Sequence, residues 1–148
     1  MKYITLLLIL CSSAFASELV EKAQAIESIL NSAEKIEIIS AFESATIIGT
    51  SIEALRQTGN YEEIEKNYQD AVIELIQTEA GTAAIDTFSL EELSVLQKLA
   101  AGTKEERSIA IKSICLATSQ KPQMMQKASR IMMNYSKAVV AQRTNKSE

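Results

Sequence analysis

Residues 88–106 read FSLEELSVLQKLAAGTKEE, and the way this stretch is punctuated decides the fold class. Ser89 and Glu92 stand three apart, the spacing at which a serine side chain and a glutamate side chain satisfy each other's free backbone amides at a helix start. Phe88 and Leu93 occupy the two positions of a hydrophobic staple across that start. Glu91 and Glu92 favour the positive end of the helix dipole. Leu90, Leu93, Leu96, Gln97 and Ala100 then follow helical spacing, and Gly102 stops the helix. Thr103 and Glu106 repeat the capping box at once and open another helix. A start, a stop and a second start so close together describe two helices joined by a tight turn. Each residue has a structural reason to be there, so the stretch marks a helix start and carries no chemistry of its own.

The same period continues outward. Ser17 is placed to cap a first helix with apolar positions Leu19, Ala23, Ile26, Ile29 and Leu30, broken at Asn31-Ser32. Ser32 is placed to cap a second helix over 33–58, whose wide apolar arc includes Ile36, Ile38, Ile39, Ala41, Phe42, Ala45, Ile47, Ile48, Ile52 and Leu55. Gly49 lies inside that arc and weakens it by about 1 kcal/mol relative to alanine, which points to close packing or a local bend. Thr58-Gly59 ends it. Asn60 with Glu63 resembles a capping box for a third helix with Ile64, Tyr68, Ala71, Val72, Leu75 and Ile76 inward, ending or kinking at Gly81. After the helix at Ser89, the one opened by Thr103 carries Ile109, Ile111, Ile114, Cys115 and Leu116. Pro122 suits the first turn of a final helix, 122–142. No segment alternates with period two. The expectation is all-α: an irregular bundle of five to six helices in one domain, 17–142, with a polar tail at 143–148.

The chain opens MKYITLLLILCSSAFA: a lysine, an apolar run and small residues at Ala14 and Ala16. That is the pattern of a signal peptide, residues 1–16, cleaved after Ala16. Export to the periplasm follows if the source is a Gram-negative bacterium, and secretion otherwise. Lipid attachment at Cys11 is the lesser alternative, because Leu10 is large where a small residue is wanted. The apolar run is shorter than the roughly 20 residues of a span, and no later run is long enough, so no transmembrane segment is expected in the mature chain. Cleavage leaves Cys115 without an intramolecular partner, either a buried small hydrophobe or the site of an intermolecular disulfide.

Composition removes several functions. Histidine is absent, and with it histidine ligands, histidine bases and triads. Residues 17–111 hold 7 basic and 18 acidic residues, whereas 112–148 hold 7 basic residues against Glu148 alone. Nucleic acid is not an expected partner of so acidic a chain, and the basic end is expected to complement the acidic helices. The pairs and triplets Glu62-Glu63-Glu65, Glu91-Glu92 and Glu105-Glu106 fall in first turns, where carboxylates are stabilised without any metal. No catalytic residue, metal ligand or cofactor site is expected.

The last helix holds the best candidate for contact. Met124, Met125, Met132 and Met133 are all the methionines after the leader, and flexible thioethers can line an adaptable apolar groove. Met125 and Met132 share a stripe with Ala128 and Tyr135 and read as core; Met133 falls off it. Lys127, Arg130 and Lys137 form a basic face beside them, suited to solvent, to ion pairs or to an anionic surface. These seven residues make the candidate interaction surface, for an envelope protein or peptide. The alternative is a carrier of a small apolar ligand or lipid, held between the second and the final helix.

Three segments carry a resemblance: FSLEEL (88–93), KPQMMQKASRIMMNYSKAV (121–139) and AIESILNSAEKIE (25–37). They resemble the bacterial exported domain-of-unknown-function family numbered 2059, with its Phe-Thr-x-Glu-Glu-Leu segment and methionine-rich final helix. That family follows its Glu-Glu-Leu helix with an aromatic pair and Ser-Pro-x-Gly, where this chain has residues 98–103, KLAAGT. The resemblance implies an exported α-helical protein and supplies no catalytic residues.

Overall fold

In the computed structural model, which describes residues 2–46 and 48–145 with side chains from Phe15 onward, every element is an α-helix. There are seven: α1 Lys2–Asn31, α2 Lys35–Ala45, α3 Ile48–Arg56, α4 Glu62–Ile85, α5 Leu90–Ala100, α6 Lys104–Ser119 and α7 Pro122–Asn145. One continuous apolar cluster draws on all seven, from Ala25 of α1 to Val139 of α7. α4 and α6 sit at its centre: α4 packs on α1, α2, α6 and α7, and α6 on α1, α2, α4, α5 and α7. Residues 1–14 of the leader assigned to 1–16, with Cys11, the core position at Ile47 and the tail end at 146–148 lie outside the described side chains.

The stretch that decided the fold class behaves as its spacing requires. Ser89 Oγ accepts from the Glu92 amide at 3.2 Å, and Glu92 Oε2 accepts from the Ser89 amide at 2.8 Å. Thr103 and Glu106 repeat the exchange at 3.2 and 2.7 Å. Leu93 is fully buried, and Phe88 packs against the same cluster. Backbone hydrogen bonding holds the Glu92 carboxyl below the usual carboxylate range. Ser89→Ala is expected to cost about 1 kcal/mol, the usual worth of a cap. A chemical-denaturation midpoint equal to wild type would show the box contributes nothing.

Several expectations are corrected. Among the described residues the helix count is seven, because the stretch 33–58 holds two helices, α2 and α3. The chain turns at Thr46, whose φ −128° and ψ 151° are extended, and α3 leaves α2 at 117°. The turn is local in cause: Thr46 Oγ1 donates back to the Phe42 carbonyl at 3.0 Å, and Gly49 passes so close to the Glu43 carbonyl that no side chain fits. Ser17 caps nothing, since it lies within α1 with its hydroxyl on Glu21. Ser32 donates to the Ile29 carbonyl at 2.6 Å and so closes α1; Glu34 with Glu37 forms the box that opens α2. Tyr61, not Asn60, precedes α4, and its side chain makes no cap. Gly81 ends nothing, because α4 runs on to Ile85: the buried Ala80, Ala83 and Ala84 on either side hold it. Ile36, Ile109 and Leu116 are at least half exposed, on helix faces that no neighbour covers.

Cys115 is fully buried, and burial pushes its thiol up to about 12. Among the described residues no single helix is long and apolar enough to cross a membrane.

Candidate functional site

The densest polar cluster lies under the α2–α3 corner. Arg56, the last residue of α3, turns back over α2 and α4. Its Nη2 lies 2.8 Å from Glu43 Oε1 and 2.6 Å from Glu65 Oε1, with Nη1 3.0 Å from Glu43 Oε2 and Nε 3.2 Å from Glu65. One guanidinium thus forks two carboxylates, the geometry that favours arginine over lysine. The phenol of Tyr68 donates to Glu43 Oε1 at 3.0 Å, and that of Tyr135 donates to Glu65 Oε2 at 3.0 Å. Gln69 Nε2 adds a bond to Glu65. The two tyrosine rings meet edge to face at 5.2 Å, and Arg56 stands 5.7 Å from the Tyr68 ring centre. α2, α3, α4 and α7 are all tied by this one cluster. An open cleft of about 370 Å³ lies beside it, walled by Ile36, Ile39, Tyr61 and Tyr135.

Its electrostatics are those of a latch. Burial raises the Glu65 carboxyl, but the Arg56 guanidinium and the Tyr135 and Gln69 hydrogen bonds outweigh it and hold the group below the ordinary range. The two carboxylates raise Arg56 further above its normal value, chiefly through hydrogen bonds to Glu43. Burial and then Glu65 push Tyr135 up to about 12, and burial with Glu43 takes Tyr68 higher still. Glu65 is held toward its charged form and the two phenols toward their neutral form, so none of the shifted groups is poised to exchange a proton near neutral pH. Only two carboxylates converge, and a guanidinium already occupies both. Among the described residues no group of three or more His, Cys, Asp or Glu gathers where a metal ion would fit.

The seven residues of the expected interaction surface share α7 but not one face. Met124 is in the core, 2% exposed, together with Ala128, Tyr135 and Val139. Met125 and Met132 are half-buried, the latter against the core. Met133 is 51% exposed, as its departure from the stripe implied. Lys127 pairs with Glu79 of α4, and Lys121, just before α7, pairs with Asp86 at 3.3 Å. The first pair puts Lys127 against acidic α4 and the second puts Lys121 on the residue that follows it, as the charge of the basic end suggested. Arg130 and Lys137 are exposed, and neither forms an ion pair among the described residues. Glu43, Arg56, Glu65, Tyr68 and Tyr135 were not singled out by the sequence as a site. The one signal was a glutamate and an arginine inside an apolar helical arc, each needing a partner.

No family model, curated protein or solved structure matches the chain.

Proposed function

We propose that this chain is an exported, non-enzymatic interaction module of the bacterial envelope, periplasmic where the host is Gram-negative, that binds a protein or peptide through the outer flank of α7. The observation that carries the reading is the pair Met133 and Val140, 51% and 55% exposed and two turns apart, with exposed Lys137 between them. A large apolar side chain left in water twice on one flank, beside a cation, suits an apolar partner segment with acidic neighbours. The resemblance to the 2059 family agrees with an exported helical protein, and residues 1–16 are its leader.

The test is capture from the native envelope with the wild-type chain and with Met133→Glu/Val140→Glu. Specific proteins retained by wild type and lost by the variant, at equal helical content, are the expected result. N-terminal sequencing of the exported chain is expected to begin at Ser17. Equal capture by both forms would sink the α7 reading, and an N-terminus at Met1 would sink the leader.

A second reading is the apolar-ligand carrier. It draws on a groove of about 310 Å³ between α4 and α7, lined by Ile64, Ala71, Ile131 and Ala138 among others. The cleft between α2 and α7 suits it less, because Glu43, Arg56 and Glu65 line it. A lipid mass on the chain purified from its host, in native mass spectrometry, would favour the carrier.

A further inference from the structure

α4 and α7 run antiparallel, as three contacts along them show: Lys127 with Glu79, Tyr135 with Tyr68 and Glu65, and Arg143 with Tyr61. Between them lies the shallow groove of Ile64, Tyr68, Ala71, Ile131, Tyr135 and Ala138. Its two banks differ in sign. At 100° per residue, Glu63, Asn67, Asp70 and Glu74 form one outward ridge of α4, and all four are exposed. Arg130, Asn134 and Lys137 form the facing ridge of α7, also exposed. Among the described residues the side chains of Glu63, Glu74, Arg130 and Lys137 have no ion pair, and Asp70 has only Lys35 at 3.9 Å. An acidic bank, an apolar floor and a basic bank side by side make a self-complementary face.

We propose that this face pairs with the same face of a second copy, α4 of one lying on α7 of the other, about a twofold axis parallel to the helices. Charge selects that axis. A twofold parallel to the helices exchanges the banks, so the acidic ridge of each copy meets the basic ridge of the other. A twofold across the helices would stack acid on acid and base on base, which is repulsive.

The register follows as well. Rotation about a parallel axis leaves heights unchanged, so the levels set by Tyr68 beside Tyr135 carry over between copies. Glu74 then lies level with the partner's Arg130 to within about one residue. The partner's Lys137 falls between Glu63 and Asp70, about 5–6 Å along the axis from each. Ile64, Ala71, Ile131 and Ala138 are covered, and the four helices form an antiparallel bundle.

Two 24-residue helices are about 36 Å long. Side by side they offer roughly 650 Å² per copy, about 1,300 Å² in all, near the lower end for a specific interface. The dimer is therefore reversible, and because exposed charges define it, sensitive to salt.

This goes beyond the α7 reading above, since Met133 and Val140 lie on the opposite flank of α7 from the groove. Lys137 borders both surfaces, but Met133→Glu/Val140→Glu changes only the first and Glu74→Arg/Arg130→Glu only the second, so the two readings can fail separately.

The test is sedimentation equilibrium of the purified chain at low and at high salt. Wild type is expected to be dimeric at high concentration in low salt, and to dissociate as salt rises. Glu74→Arg and Arg130→Glu are each expected to weaken association at least tenfold, and the double reversal to restore it. Circular dichroism melts check that each variant is folded; Asp70→Lys with Lys137→Glu replaces the first pair if either is not. A monomeric wild type at all concentrations overturns the proposal. Single reversals that stay dimeric overturn it too, as does a double reversal that stays monomeric.

Discussion

Arg56→Ala is expected to lower the thermal unfolding midpoint at pH 7 by about 5–10 °C. Among the described residues the guanidinium is the one cation in an ion pair with the Glu43 and Glu65 carboxylates, whose side chains are only 16% and 22% exposed. Removing it leaves two anions facing each other under the α2–α3 corner with two phenols as their main remaining donors. Breaking a fully buried ion pair from one side costs about 3–5 kcal/mol. Arg56 is 27% exposed, so solvent relieves part of that, and about 2–3 kcal/mol remains. In a chain of this length each kcal/mol moves the midpoint by about 2–4 °C.

The pH dependence separates this cause from simple loss of packing. In the wild type the Glu65 carboxyl is held below its unfolded value, near 4.3. Its contribution is therefore complete above that value and is lost as pH falls through the folded one. Without Arg56 the largest influence left on Glu65 is burial, which raises it, so protonation stabilises the variant as pH falls. The two melting curves are expected to converge between pH 7 and pH 4. A gap that is the same at both pH values would mean that Arg56 acts through its stem alone.

What the sequence disclosed, and what it hid, follows from how far apart the interacting residues lie. Ser89 with Glu92 and Thr103 with Glu106 interact within one turn, so three-residue spacing was enough to place two helix starts. Pro122 is the first residue of α7, and Gly102 follows the end of α5, so both were equally legible, although Gly102 has no positive φ and supplies room for the Glu106 carboxylate rather than a left-handed turn. The division of residues 33–58 was not, because the apolar arc runs unbroken past Thr46 and only Gly49 hints at the bend. The polar cluster was hidden by the same fact. On a straight helix Glu43 and Arg56 stand about 20 Å apart, whereas folding the helix back at Thr46 brings them to 2.8 Å. Glu65 joins them from another helix. Periodicity also overstated α6: it marks Ile109 and Leu116 as apolar, but whether a neighbour covers them depends on the packing of α2, α4 and α5. For α7 the pattern separated Met133 from Met132 correctly, yet it could not tell that Glu79 would take Lys127 and leave Arg130 exposed.

Gly49→Ala is expected to cost about 2–3 kcal/mol, more than an ordinary helix glycine, and in the direction opposite to helix propensity. Near the start of α3 an alanine would by itself be favoured by up to about 1 kcal/mol. No glycine among the described residues has a positive φ, so backbone freedom is not what Gly49 supplies. What it supplies is room. A Cβ there would stand 2.9 Å from the Glu43 carbonyl carbon and nearer still to its oxygen. Those are backbone atoms in the last turn of α2, unable to swing aside as a side chain would. The corner must open, and α2 carries Glu43 away from Arg56 as it does. The cost is thus overpacking, about 1–3 kcal/mol, together with part of the latch. Coupling between the two sites tests this directly. If opening the corner works by parting Arg56 from Glu43, Gly49→Ala costs measurably less in an Arg56→Ala background than in the wild type. Strictly additive losses would show that the corner and the latch are independent. A Gly49→Ala chain as stable as wild type would show that α2 and α3 do not meet as closely as the fold requires.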